Sequence, residues 1–173
     1  MHALLILDMQ DGLFHGPEPI WRREQLLATI NRLLDKAHLA GAPVFLARHV
    51  GPAGSPIEPG SPLTRLVDGL HVQGDETVFE KTRPNAFAGT GLMAWLKAQE
   101  LQGVVIAGLK TQYCVDSTCR AARDLGLDAV LIEDGHSCSD TPVLNAGHIV
   151  AHHNATLNGA FCRVMPADDW QFA

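Results

Sequence analysis

The stretch that most constrains the fold runs from Gly103 to Thr118, GVVIAGLKTQYCVDST. Val104, Val105, Ile106 and Ala107 form a short apolar run bounded by Gly103 and Gly108, the pattern of a strand covered on both faces in a parallel sheet. Past the turn, Val115, Thr118, Ala122 and Leu125 recur at helical spacing, so Cys114 falls at or near a helix N-terminus. The free N–H groups and dipole of such a terminus favour the thiolate, the reactive form of cysteine. A strand of this kind needs parallel neighbours, and parallel neighbours need crossover helices.

The remaining chain supplies both. Ala3–Leu7 is an apolar run ending at Asp8, and a loop from Asp11 to Pro19 follows, with Phe14 its one large apolar residue. Leu26, Ile30, Leu33 and Ala37 trace an amphipathic helix from about Ile20 to Ala40, stopped at Gly41. Pro43–Ala47 reads as a second strand. Residues 50–62 carry three Gly and four Pro and read as an irregular loop. Thr77–Phe79 is a third strand, followed by Lys81, and the loop RPNAFAG leads into a helix from about Thr90 to Gln99. Beyond the opening stretch, Asp128–Ile132 is a fifth strand and Asp134–Asp140 a polar loop. Thr141-Pro142 offers a capping hydroxyl and a first-turn proline, predicting a helix to about Leu157. Phe161–Met165 closes as a sixth strand. This alternation predicts one domain over residues 1–173, a three-layer α/β/α sandwich on a mainly parallel six-stranded sheet of Rossmann-like type.

Charge and cysteine usage narrow the function classes. A net charge of −6 argues against a sequence-independent nucleic-acid binder, which needs a basic face. The first residues, MHALLILDMQ, have no basic leader, and their apolar run is too short for a signal peptide or a membrane span. The expectation is a cytoplasmic protein that binds neither nucleic acid nor membrane. Cys114, Cys119, Cys138 and Cys162 contain no CxxC pair and fit neither a disulfide framework nor a zinc site, so free thiols are expected.

Asp8, Lys81 and Cys114 each follow a predicted parallel strand, which places all three on the sheet edge where ligands bind in open α/β folds. A cysteine nucleophile needs a base for its proton, an acid for the leaving atom and stabilisation of its charge. Asp8 can meet the first two needs and Lys81 the third.

With these blocks in place, LLILDMQDGLF, FEKTRPNAFAGTGL, VVIAGLKTQYCVDSTCRAARDLG and HNATL, the chain resembles the isochorismatase-like superfamily of cysteine hydrolases, whose members include nicotinamidases, N-carbamoylsarcosine amidohydrolase and streptothricin hydrolase. The resemblance implies Asp8 as general base and acid, Lys81 as its cationic partner and Cys114 as nucleophile. It also implies a cis peptide between Leu109 and Lys110, and an oxyanion hole made by the backbone N–H groups of Lys110 and Cys114. A homo-oligomer is implied too, with sites that a neighbouring subunit completes in some members.

Nicotinamidases hold a metal with an Asp-x-His after the second strand and a later histidine. Here that place reads Leu46-Ala47-Arg48-His49-Val50, so one ligand is missing, and His49 with His71 is a weak metal signal. No metal and no other cofactor is expected. Phe14, His49, Phe87 and Tyr113 are candidate walls of a substrate pocket, with Gln10 and Thr111 as hydrogen-bonding support behind them. The Lys110 side chain is either a pocket group or a solvated lysine. His148, His152 and His153 lack further ligands and read as surface or interface residues. The leading expectation is a metal-free cysteine hydrolase cleaving a C–N bond in a small amide, lactam or carbamoyl compound. Its rivals are a hydrolase of an ester or vinyl ether on the same scaffold, a non-catalytic α/β binding protein, and a redox sensor using Cys114.

Overall fold

The computed structural model describes residues 1–173. Six strands, β1 (His2–Leu7), β2 (Val44–His49), β3 (Thr77–Lys81), β4 (Gly103–Leu109), β5 (Asp128–Ser137) and β6 (Arg163–Met165), form one sheet in the order β3-β2-β1-β4-β5-β6. Every neighbouring pair is parallel. Parallel pairs cannot be joined by hairpins, so the connections cross the faces of the sheet, as helices except between β2 and β3, where residues 50–76 form an irregular loop with one short 3-10 turn at Pro62–Thr64. After β1 come a single turn α1 (Asp11–Phe14) and the long α2 (Arg23–Ala40). Helices α3 (Leu92–Ala98), α4 (Asp116–Asp124) and α5 (Ala146–Leu157) follow β3, β4 and β5.

Side-chain alternation sorts the core into two layers. On β1, Leu4 and Ile6 face α2 and meet Leu26, Ile30, Leu33 and Leu34. Ala3, Leu5 and Leu7 face the other way, onto Leu92 and Leu96 of α3 and Cys119 and Ala122 of α4. Each buried leucine or isoleucine contributes roughly 1.5–3 kcal/mol, so the double-sided burial of β1 and β4 fixes the centre of the sheet. The α2 face is closed by the chain's end: Ala167, Trp170 and Phe172 join that core, and Lys36 Nζ donates to the carbonyls of Ala167, Asp168 and Trp170 at 2.8, 3.1 and 2.9 Å. No helix is long and apolar enough to cross a membrane.

Three local expectations change. The strand predicted over Asp128–Ile132 runs on to Ser137, through residues that read as a polar loop. Polar Glu133, Asp134 and Gly135 form a bulge, where the register jumps from Ile106 opposite Leu131 to Gly108 opposite His136. The last helix begins at Ala146, not at Thr141. Thr141 Oγ1 closes its own turn by accepting from the N–H groups of Val143 and Leu144, and Asn145 caps the helix by accepting from His148 N at 2.9 Å. Strands β2 and β3 extend to His49 and Lys81, so both residues belong to the sheet edge itself.

Gly108 shows why β4 ends as it does. Its φ is +121°, and a Cβ there would lie 2.1 Å from the Leu7 carbonyl oxygen. Only glycine lets the two central strands stay this close where they turn toward the site.

Candidate active site

The carboxyl ends of β1, β3 and β4 bring three side chains together. Asp8 follows β1 in the left-handed region, φ 55°, a conformation that aspartate tolerates better than most residues. Its N–H donates to Ala47 O at 3.0 Å and its carbonyl accepts from Gln10 N at 2.8 Å. Lys81 is the last residue of β3. Cys114 lies in a single π-helical turn, Thr111–Val115, that leads from β4 into α4. Such turns are rare and recur at functional sites.

At the centre sits the Lys81 ammonium. Its Nζ lies 3.0 Å from Asp8 Oδ2, 3.2 Å from Cys114 Sγ, 3.1 Å from His49 Nδ1 and 3.2 Å from Arg83 O. The Lys81 and Asp8 side chains are 0% and 1% exposed, so this ion pair is shielded from water. The 3.0 Å approach to Asp8 is an ion-pair contact without hydrogen-bond alignment, and neither carboxylate oxygen has a hydrogen-bond partner. The lone pairs of Asp8 are therefore free to accept a proton. An ammonium only donates, so His49 Nδ1 accepts from Lys81 and the imidazole carries its proton on Nε2.

Electrostatics follow from burial. Desolvation raises the Asp8 carboxyl above its ordinary value, against the opposing pull of Lys81 and the Cys114 contact. Burial, and then the Asp8 charge, pushes the Cys114 thiol up to about 12, with Lys81 opposing. Burial and Lys81 hold His49 below its ordinary value. This corrects the expectation of a thiolate prepared by the helix start. A single proton on the Asp8–Cys114 pair would, with the Lys81 charge, leave the cluster neutral, whereas removing it would leave two adjacent buried anions. The arrangement can pass the thiol proton to Asp8.

The other predicted residues divide by position. Gln10 is fully buried and clamps His49: its Oε1 accepts from His49 N at 2.7 Å, and its Nε2 donates to His49 O and Thr64 O at 3.0 and 3.2 Å. The Leu109–Lys110 peptide is cis. The Lys110 carbonyl accepts from Tyr113 N and Val115 N at 3.1 and 3.3 Å, whereas the Lys110 N–H makes no hydrogen bond. The Lys110 side chain pairs with Glu18 from the loop before α2, a partner that sequence spacing gives no sign of. Thr111 is buried and bonded to His136. Phe14 is buried in the α2-side core, its ring edge against His15. Phe87 packs half-buried against the α3–α4 side, and Tyr113 is exposed. His71 pairs with Asp35 at 2.9 Å on the surface of α2 and does not join His49.

Donor atoms of Asp8, His49 and Cys114 lie within 4.8 Å of one another. The Lys81 ammonium contacts all three, so a resident metal would have to displace a buried cation already held there. These residues do not fit a metal. A cleft of about 850 Å³ lies elsewhere, between α2 and α5, and none of Asp8, Lys81 and Cys114 lines it. The convergence of perturbed ionisable groups, and not the cleft, marks the candidate site.

A sequence model of the isochorismatase domain matches residues 2–168. A secreted isochorismatase effector of Verticillium dahliae is 29% identical, over 96% of this chain and 88% of that protein. Streptothricin hydrolase of Streptomyces noursei is 32% identical over 82% of this chain, and this chain spans about half of that relative, 51%. The crystal structure of an isochorismatase from Pseudomonas putida superposes with a TM-score of 0.88 at 29% identity, covering 96% of this chain and 88% of that one.

Proposed function

This chain belongs to the isochorismatase family, and from that premise we propose that it is a cysteine hydrolase cleaving a C–N bond of a small amide, lactam or carbamoyl compound through a thioester on Cys114. The observation that carries the proposal is the Lys81 ammonium held between the Asp8 carboxylate and the Cys114 sulfur.

In the first half, Asp8 takes the thiol proton as Cys114 Sγ attacks the carbonyl carbon. The new C–S bond pushes an electron pair onto oxygen, and the N–H groups of Lys110 and Cys114 accommodate that oxyanion; the unpartnered Lys110 N–H supports this role. Losing one such donor typically costs about 2.7–4 kcal/mol of transition-state stabilisation. Asp8 then returns the proton to the leaving nitrogen, and the amine or ammonia departs. The raised carboxyl suits this acid step. In the second half, Asp8 takes a proton from water, hydroxide attacks the thioester, and the carboxylic acid leaves as Cys114 recovers its proton. Lys81 keeps the buried cluster neutral throughout.

His49, Phe87 and Tyr113 would wall the substrate pocket. Four buried, unpaired thiols support a reducing, cytoplasmic setting, and a homo-oligomer is part of the proposal. The test is a panel of small amides, lactams and carbamoyl compounds assayed for amine or ammonia release. Turnover that disappears in Cys114→Ala supports the reading; turnover that survives it refutes the nucleophile.

A further inference from the structure

His136 is a buried histidine that the proposed reaction does not use. It is 3% exposed and stands just past the bulge of β5, opposite Gly108. Both ring nitrogens are engaged: Nδ1 lies 2.9 Å from Thr111 Oγ1 and Nε2 lies 2.8 Å from Asn154 Oδ1. The protons can be placed. The Glu133 carbonyl only accepts, so Asn154 turns its Nδ2 to it, at 3.2 Å, and presents Oδ1 to His136. His136 therefore donates from Nε2–H, and its bare Nδ1 accepts from the Thr111 hydroxyl. Burial holds the ring's protonation down to about 4, so the neutral form this chain requires is the one present near neutral pH.

Thr111 opens the π turn. It follows Lys110, whose N–H is free, and precedes Cys114 by three residues. Helix α5, through Asn154, thus reaches by way of His136 to the first residue of the turn that carries both proposed oxyanion donors. We propose that His136 is a positioning residue, which with Asn154 fixes Thr111 so that the Lys110 and Cys114 N–H groups converge on one oxygen. This rests on the cysteine hydrolase reading.

The test separates two reactions of the same sulfur. Acylation by p-nitrophenyl acetate forms a C–S bond, passes through an oxyanion and releases p-nitrophenolate, read as a stopped-flow burst. Alkylation by iodoacetamide displaces iodide and forms no oxyanion. In His136→Phe, which removes both hydrogen bonds at similar volume, the burst rate should fall by about a hundredfold, as expected for displaced catalytic groups, while the alkylation rate holds. His136→Asn, which keeps an acceptor for Thr111, should recover much of the loss. Thr111→Val should reproduce the defect and add little to it in the double variant, and it carries the test if His136→Phe does not fold. A wild-type burst in Thr111→Val or in folded His136→Phe overturns the positioning role, as does a parallel loss of alkylation. A burst that persists in Cys114→Ala instead overturns the hydrolase reading beneath it.

Discussion

Replacing Lys81 by methionine removes the buried cation and keeps most of its volume. At 3.0 Å from Asp8 and an effective dielectric of about 20, the lost attraction is about 5 kcal/mol. Breaking one side of a buried pair costs about 3–5 kcal/mol in practice, because Asp8, with no hydrogen-bond partner, is left as a lone buried anion. That cost depends on pH. The folded-state carboxyl value is already raised by burial and rises further without Lys81. The folded state then binds a proton that the unfolded state has released, so stability is present at low pH and is lost as pH rises through the folded value. Urea denaturation at about pH 7 and about pH 5 should show Lys81→Met destabilised by about 3–5 kcal/mol at the higher pH and by distinctly less at the lower. Adding Asp8→Asn removes the uncompensated charge and should restore most of the stability at the higher pH, with no activity. A single variant within about 1 kcal/mol of wild type at pH 7, a penalty that ignores pH, or a double variant no better than the single would refute the buried-pair account.

Other outcomes follow from neighbouring features. Protonation of His136 is held down to about 4 from 6.5 by burial, so its neutral form contributes stability that is present above the unfolded value and lost as pH falls; His136→Phe should remove roughly 3 kcal/mol of the wild type's acid destabilisation between those limits. With its thiol pushed up to about 12, Cys114 in the free protein should react with iodoacetamide more slowly at neutral pH than a denatured-state thiol; faster labelling would show that the thiolate is already formed. Gly108→Ala would set a Cβ 2.1 Å from a backbone oxygen at a φ that alanine avoids, and a loss of stability well beyond about 1 kcal/mol is expected in thermal melts; a wild-type melt would show that the two strands can separate there.

The parts legible in the sequence were those written as periodicity. Apolar runs marked β1 and β4, and the convergence of Asp8, Lys81 and Cys114 followed because parallel strands share an edge. What escaped was set by tertiary contact. The Glu133–His136 segment is polar enough to read as loop, yet it is a bulged strand, and so His136 was lost among apparent turn residues; the only trace is a histidine two residues past an acidic pair on a strand's flank. Thr141-Pro142 carried a good helix-start signal, and Asn145 won because the threonine hydroxyl was spent on its own turn. For Cys114, local reasoning supplied a helix terminus, but desolvation and the Asp8 charge outweigh it, and neither can be read from spacing. Pairing of Lys110 with Glu18 is likewise a contact between segments remote in sequence.

The most direct test of the central claim is rapid-quench mass spectrometry of the protein during turnover of an acyl substrate, followed by peptide mapping. The account predicts a transient acyl adduct, labile as a thioester is, on the peptide containing Cys114, and no adduct in Cys114→Ala. Undiminished turnover without an adduct, or an adduct confined to another residue, would contradict it.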